Sequence, residues 1–192
     1  KRFNLNIRPR YEIIDLSISN SVSYPEKLKY DRTGSFGLGL EFEFILPFNN
    51  SKWAITLEPI YSKYSNELYT NNDNVSGGIA KFEVDYSSLT LPLSLRYYFY
   101  LNEHSKIFLN ASYITNFKSE SNYILEKRND GSVKTQLEIV SENSFSYGVG
   151  YKYQDKFIFE FRYLPSKDLL NIYSIWNSEY SSVSFIIGYT LF

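Results

Sequence analysis

The decapeptide "KFIFEFRYLP", residues 156–165, sets Phe157, Phe159, Phe161 and Tyr163 at every second position, with Ile158, Glu160 and Arg162 between them. A repeat of two belongs to a strand, whose successive side chains point to opposite faces. One face here is aromatic and the other carries opposite charges. In a soluble sheet the aromatic face turns to the core and the charged face to water. In a membrane barrel the assignment reverses, because lipid is the outer solvent and the interior collects the polar groups. The rest of the chain has to decide between them.

At 192 residues the chain is long enough for a single domain with a substantial core, or for one closed sheet. A net charge of -1 leaves no basic field for nucleic acid. With 19 Tyr and 15 Phe, the aromatic load exceeds what a soluble domain of this size readily buries. The absence of cysteine excludes disulfides and thiolate chemistry. No run approaches the ~18–20 apolar residues of a spanning helix, and the mean hydropathy of -0.32 reads as soluble. Barrels escape that test, since half of each strand faces a polar interior. The chain also lacks Met, which fits a processed N-terminus such as signal-peptide removal leaves.

Eight alternating segments follow the same rule. The first, residues 3–13, puts Phe3, Leu5, Ile7, Pro9, Tyr11 and Ile13 on one side and Asn4, Asn6, Arg8, Arg10 and Glu12 on the other. In "GSFGLGLEFEFILPF" Phe42 and Phe44 alternate with Glu41 and Glu43; "WAITLEPIY" follows after a short turn and carries Glu58 on its minority face. Residues 89–99 set Leu93 and Leu95 against Arg96, residues 107–117 set Leu109 against Asn110, and the segment ending at Tyr153 sets aromatics against Gly148, Gly150 and Lys152. Residues 156–165 are the opening stretch, and 183–191 display Phe185 and Ile187. Each is about the 9–11 residues that a tilted strand needs to cross a bilayer.

The connections at 49–52, 100–105 and 154–156 are short, whereas those at 19–34, 65–80, 118–143 and 165–181 are long and polar. Up-and-down strands would place every short link and both termini on one rim and every long link on the other. The expected fold is therefore all-β: an eight-stranded antiparallel up-and-down transmembrane β-barrel with short periplasmic turns and long extracellular loops, one domain over 1–192. "KRNDGSVK" predicts a hairpin rising beyond the membrane between "SNYILE" and "VKTQLEIV". Trp53, Phe48, Phe99, Tyr100 and Tyr153 on the short-turn rim, and Tyr61, Tyr64, Phe117, Phe145 and Tyr163 towards the other, suit interfacial girdles.

On this orientation Phe42, Phe44, Leu93, Leu95, Phe157, Phe159, Phe161, Phe185 and Ile187 face lipid. Arg8, Arg10, Arg96, Lys152 and Arg162 meet Glu12, Glu41, Glu43, Glu58 and Glu160 inside. Five cations against five anions make a plug, because an eight-stranded interior is just wide enough to fill with side chains and a lone buried charge is costly. The competing use of the same residues is a charged translocation path, or a carboxylate pair such as Glu41 with Glu43. His104, the one histidine, falls in a short turn without a nucleophile partner. "NNDNVSGG", residues 71–78, has oxygen ligands but neither the twelve-residue spacing nor the terminal Glu of a calcium loop. No catalytic, cofactor or metal residues are assigned.

"LTLPLSLRYYF" at 89–99 resembles the "YLxIPLLLKYYF" strand of the PorT-like outer-membrane β-barrel family common in Bacteroidota. "LEPIYS" at 57–62 resembles that family's "PELxYS" strand, and "IIGYTLF" its "GYRF" ending. Glu58 and Pro59 reverse the usual order, Arg96 replaces a Lys, and a residue follows Leu191. The resemblance implies location and fold rather than activity; some relatives are linked to type IX secretion.

The leading expectation is a non-enzymatic barrel of the bacterial outer membrane with periplasmic termini. It would serve as a structural or accessory subunit that contacts lipid and another envelope protein, and bind no nucleic acid. "LLNIYSIWNSEYSS" offers Tyr173, Trp176 and Tyr180 as contact residues, aromatics being enriched at interfaces. Two alternatives remain: a soluble lipocalin-like ligand-binding barrel, which needs the aromatic face inside, and a small membrane-embedded barrel enzyme.

Overall fold

The computed structural model describes residues 2–71, 79–117, 122–128, 130–140 and 142–192; "NNDNVSGG" lies almost wholly outside them. Among the described residues twelve strands form one antiparallel sheet. They are β1 (Phe3–Asn20), β2 (Tyr24–Lys29), β3 (Thr33–Ile45), β4 (Trp53–Leu57), β5 (Ile60–Asn71), β6 (Ile79–Tyr100), β7 (Ser105–Phe117), β8 (Tyr123–Lys127), β9 (Val133–Glu138), β10 (Ser144–Tyr153), β11 (Phe157–Lys167) and β12 (Trp176–Thr190).

The pairings form a cycle. From β1 they run through β12, β11, β10, β7 and β6, then through β4 and β5 to β3, and β3 pairs with β1. The expected count of eight strands is thus corrected to twelve, for two physical reasons. Pro59 has no N–H to give a ladder, so one expected strand is split into β4 and β5, which occupy a single place in the cycle. In addition β2 lies in a stretch expected as a loop, and β8 and β9 are the hairpin expected within the third long link, counted here beyond the eight.

Short turns tie one rim. Gln154 and Asp155 both have positive φ, the backbone of a two-residue hairpin turn, closed by Lys156 N–H to the Tyr153 carbonyl at 3.0 Å. Asn49, Asn50 and Ser51 make the turn before β4 with positive φ as well. The predicted hairpin of β8 and β9 is present, with Gly131 at φ 80° in its turn.

Exposure settles the orientation that alternation left open. Phe159 and Phe161 are 49% and 55% exposed, while Glu160 and Arg162 between them are 2% and 4% exposed. The same sorting holds on β1, where Phe3, Ile7, Tyr11 and Ile13 are exposed and Asn4, Asn6, Arg8 and Arg10 are buried. An apolar belt therefore encircles the lower part of the cycle. On β1 it runs from residue 3 to 13, ~33 Å of strand at ~3.3 Å per residue, or ~23–25 Å of height at a tilt of ~40–45°.

Above the belt the strands continue where loops were expected. They form two facing sheets, β2-β1-β12 and β5-β6-β8-β9. Their inner faces meet in one apolar cluster that includes Ile14, Leu16, Phe82, Val84, Ile124, Leu137, Leu169 and Trp176. Tyr24 is packed edge-on to Phe82 at 5.4 Å, and its hydroxyl donates to Glu126 across the two sheets at 2.7 Å.

Candidate functional site

The ten ionic residues expected inside are all buried and form one connected network. Arg8 on β1 donates to Glu41 and Glu160 and lies 3.5 Å from Glu58. Arg96 on β6 reaches Glu41 at 2.6 Å and Glu43 at 2.9 Å. Lys152 on β10 closes on Glu43 at 3.0 Å. Arg162 on β11 holds Glu58 at 2.8 Å and Glu160 at 2.9 Å. Arg10 completes the chain by donating to Glu58 and standing 4.0 Å from Glu12.

Residues of opposite charge meet here across as many as 152 positions of sequence. In a site shielded from bulk solvent each ion needs its partners, since the cost of burying an unpaired charge is several kcal/mol or more. Glu41 and Glu43, weighed as a carboxylate pair, are each held by cations: Glu41 by Arg8 and Arg96, Glu43 by Arg96 and Lys152. They are tied down as counter-ions.

Neutral partners complete the network. Asn4 donates to Glu43 at 2.7 Å, Asn6 to Glu41 at 2.8 Å and Asn110 to Glu160 at 3.0 Å. Tyr98 donates its hydroxyl to Glu43, and the Phe108 ring lies 4.3 Å from the Arg96 guanidinium. Asn4, Asn6, Asn110 and Tyr98 were not singled out from sequence. Their signal was there, because they share strand parity with the charged residues. Two inward glycines make room: a Cβ on Gly150 would run into the Phe108 ring, and one on Gly39 would stand 2.6 Å from a Glu58 carboxylate oxygen.

All nine residues assigned to the outer wall are exposed: Phe42, Phe44, Leu93, Leu95, Phe157, Phe159, Phe161, Phe185 and Ile187. The contact residues proposed from "LLNIYSIWNSEYSS" are corrected. Trp176 and Tyr180 are buried in the upper cluster, because β12 keeps its inward parity up to Trp176. Tyr173 is half-buried, and its hydroxyl accepts the Glu138 N–H at 2.9 Å. Tyr64, expected in a girdle, is also buried there. His104 lies in the exposed turn before β7. Among the described residues no three metal-ligating side chains converge.

The molecule is thus a cyclic antiparallel sheet with an apolar outer wall and an ion-paired interior, the inverse of a soluble ligand-binding barrel. No family model matches the chain and no curated protein matches it in sequence, so the likeness to the PorT-like family stands on its quoted motifs alone. Among solved structures it is similar to Ail, the attachment invasion locus protein of Yersinia pestis, at 14% identity over all of both chains with a TM-score of 0.49. It is also similar to the outer membrane protein OprG from Pseudomonas aeruginosa, at 16% identity over 100% of this chain and 97% of that one, TM-score 0.46. Neisserial surface protein A gives 14% identity over 95% and 96%, TM-score 0.42. Likenesses of this size say nothing about activity, ligand or location.

Proposed function

We propose that the chain is a transmembrane β-barrel of the bacterial outer membrane, non-enzymatic and non-conducting, that serves as a structural or accessory subunit for another envelope protein. The observation that carries this reading is the inverted sorting on β11, aromatics outward and Glu160 and Arg162 inward. Water outside would leave the whole belt unfavourably hydrated, whereas hydrocarbon would solvate it and penalise the charges instead. The belt height of ~23–25 Å agrees with the ~25 Å apolar band of such barrels. The ionic network below and the apolar cluster above occupy most of the interior and leave only a small cavity between them, which supports a sealed lumen rather than a pore.

In this reading the short-turn rim and both termini are periplasmic, and the two facing sheets stand outside the cell. These sheets and the lipid-facing wall are the surfaces open to a partner. The carboxylates that an enzyme would use are engaged by cations, which favours the non-enzymatic role.

Cell fractionation tests the reading directly. The chain should sediment with the outer membrane, need detergent for extraction, and migrate faster in gels when unheated than when boiled. In planar bilayers it should add no ion conductance. A cysteine placed at Val22 should label from outside intact cells and one at Asn50 should not. A chain that stays soluble without detergent would refute the membrane assignment, and stepwise conductance would refute the seal.

A further inference from the structure

Between the ionic network and the apolar cluster lies a cavity of about 50 Å³, lined by residues that include Arg10, Glu12, Ser146, Arg162, Lys167 and Tyr180. Three polar groups on its lining residues are buried and have no hydrogen-bond partner: Arg162 Nη2, Arg10 Nε and Ser146 Oγ. Buried donors in that condition call for a bound water or ion. Two of the three can only donate, so whatever satisfies them accepts.

The register explains why these groups share one place. Arg162 pairs with Gly148 on one side and Ser184 on the other, and Ser184 pairs with Glu12. Ser146 lies one inward step above Gly148 on β10. Lys167, at the end of β11, brings its ammonium to the same wall, 3.3 Å from Asn116 Oδ1 and 5.3 Å from the Tyr180 ring centroid. The sign of the wall is positive. Arg10, Arg162 and Lys167 line it against one carboxylate, Glu12, which accepts from Ser184 at 3.2 Å. Arg10 and Arg162 share Glu58 as a counter-ion, Arg162 holding Glu160 and Arg10 standing near Glu12 besides.

We propose that this cavity is a binding site for a single small inorganic anion of chloride size, seated among Arg162, Arg10, Ser146 and Lys167. A metal cation is disfavoured by the donor-only guanidinium groups, and an organic ligand by the volume. Water would satisfy the hydrogen bonds alone, whereas an anion would satisfy them and be attracted in addition by the three cations that line the cavity against one carboxylate. The site does not depend on where the chain resides, so its test is separate from that of the membrane assignment.

Crystals of the detergent-solubilised protein grown in sodium bromide should show an anomalous peak in this cavity, within hydrogen-bonding reach of Arg162 Nη2. In solution, the thermal unfolding midpoint should rise saturably with chloride at constant ionic strength, gluconate being the balancing anion too large to enter. Lys167→Gln and Ser146→Ala leave the ionic network intact; the first should weaken the half-saturating chloride concentration about tenfold, the worth of one charged hydrogen bond. A cavity holding water alone in bromide crystals would overturn the proposal. So would a chloride response that gluconate reproduces, or one that both variants leave unchanged.

Discussion

Arg8 touches more of the network than any single pair suggests, because Glu41, Glu58 and Glu160 all lie within ion-pair distance of its guanidinium. Arg8→Met would leave those buried carboxylates short of a cation. The expected cost is about 3–5 kcal/mol, the range for breaking a buried pair from one side. Urea unfolding in detergent micelles would measure it, and a variant as stable as the parent would contradict the network's role. Lys167 makes a different prediction, since it lies above the apolar belt at the level of Tyr180. Burial pushes its ammonium down to about 8, with Glu12 pulling the other way. Arg10, Arg162, Tyr86 and Tyr180 face the same cavity. Between about pH 8 and the ordinary lysine value of about 10.4 the unfolded chain holds a proton that the folded chain has released. Stability should therefore rise with pH across that window, relative to Lys167→Met, in chloride-free buffer. A flat difference between the two unfolding curves would show that Lys167 titrates as if in water.

Elements carry their parity further than the eye follows it. On β12 the outward positions Val183, Phe185 and Ile187 fix Tyr180 and Trp176 as inward, because its ladder with β1 keeps one register from Trp176 to Thr190. The polar composition of 165–181 concealed this, because Asn177 and Glu179 on the outward face read as a loop. Proline misled in the other direction: the expected strand 53–61 is interrupted at Glu58 and Pro59, yet the ladder recovers through the Leu40 N–H to Pro59 carbonyl bond at 3.1 Å. The upper sheets depend on their shared cluster. Phe82, fully buried between Tyr24 and Trp176, should cost about 3–5 kcal/mol when truncated to alanine. That loss should be local: hydrogen exchange should quicken in β2, β8 and β9 while β10 and β11 keep their protection. Uniform loss of protection would mean that the two levels fold as one unit.

At the scale of the whole molecule, the outer wall and the interior are two solvents' worth of surface on one sheet. Phe159 lies midway along the belt segment of β11, so Phe159→Arg would put a cation into hydrocarbon. It should destabilise the folded state by about 2–4 kcal/mol in lipid bilayers, read as the folded fraction on unheated gels after refolding into vesicles. A substitution without effect there would argue that β11 does not face lipid.

The eight alternating segments of the cycle and the identity of the ten ionic residues were legible in the chain, because a period of two assigns every residue to one of two faces; β2 and the break at Pro59 were not. That period is unchanged when the faces are exchanged, so it could not say which was inside; burial of Glu160 and Arg162 decided it. Nor could it show that Arg8 meets Glu160 or that Lys152 meets Glu43, since such contacts depend on curvature and stagger that bring distant strands together across the interior. The same is true of the two facing sheets above the belt, whose apolar residues gain a partner only when the ends of the cycle lean toward each other.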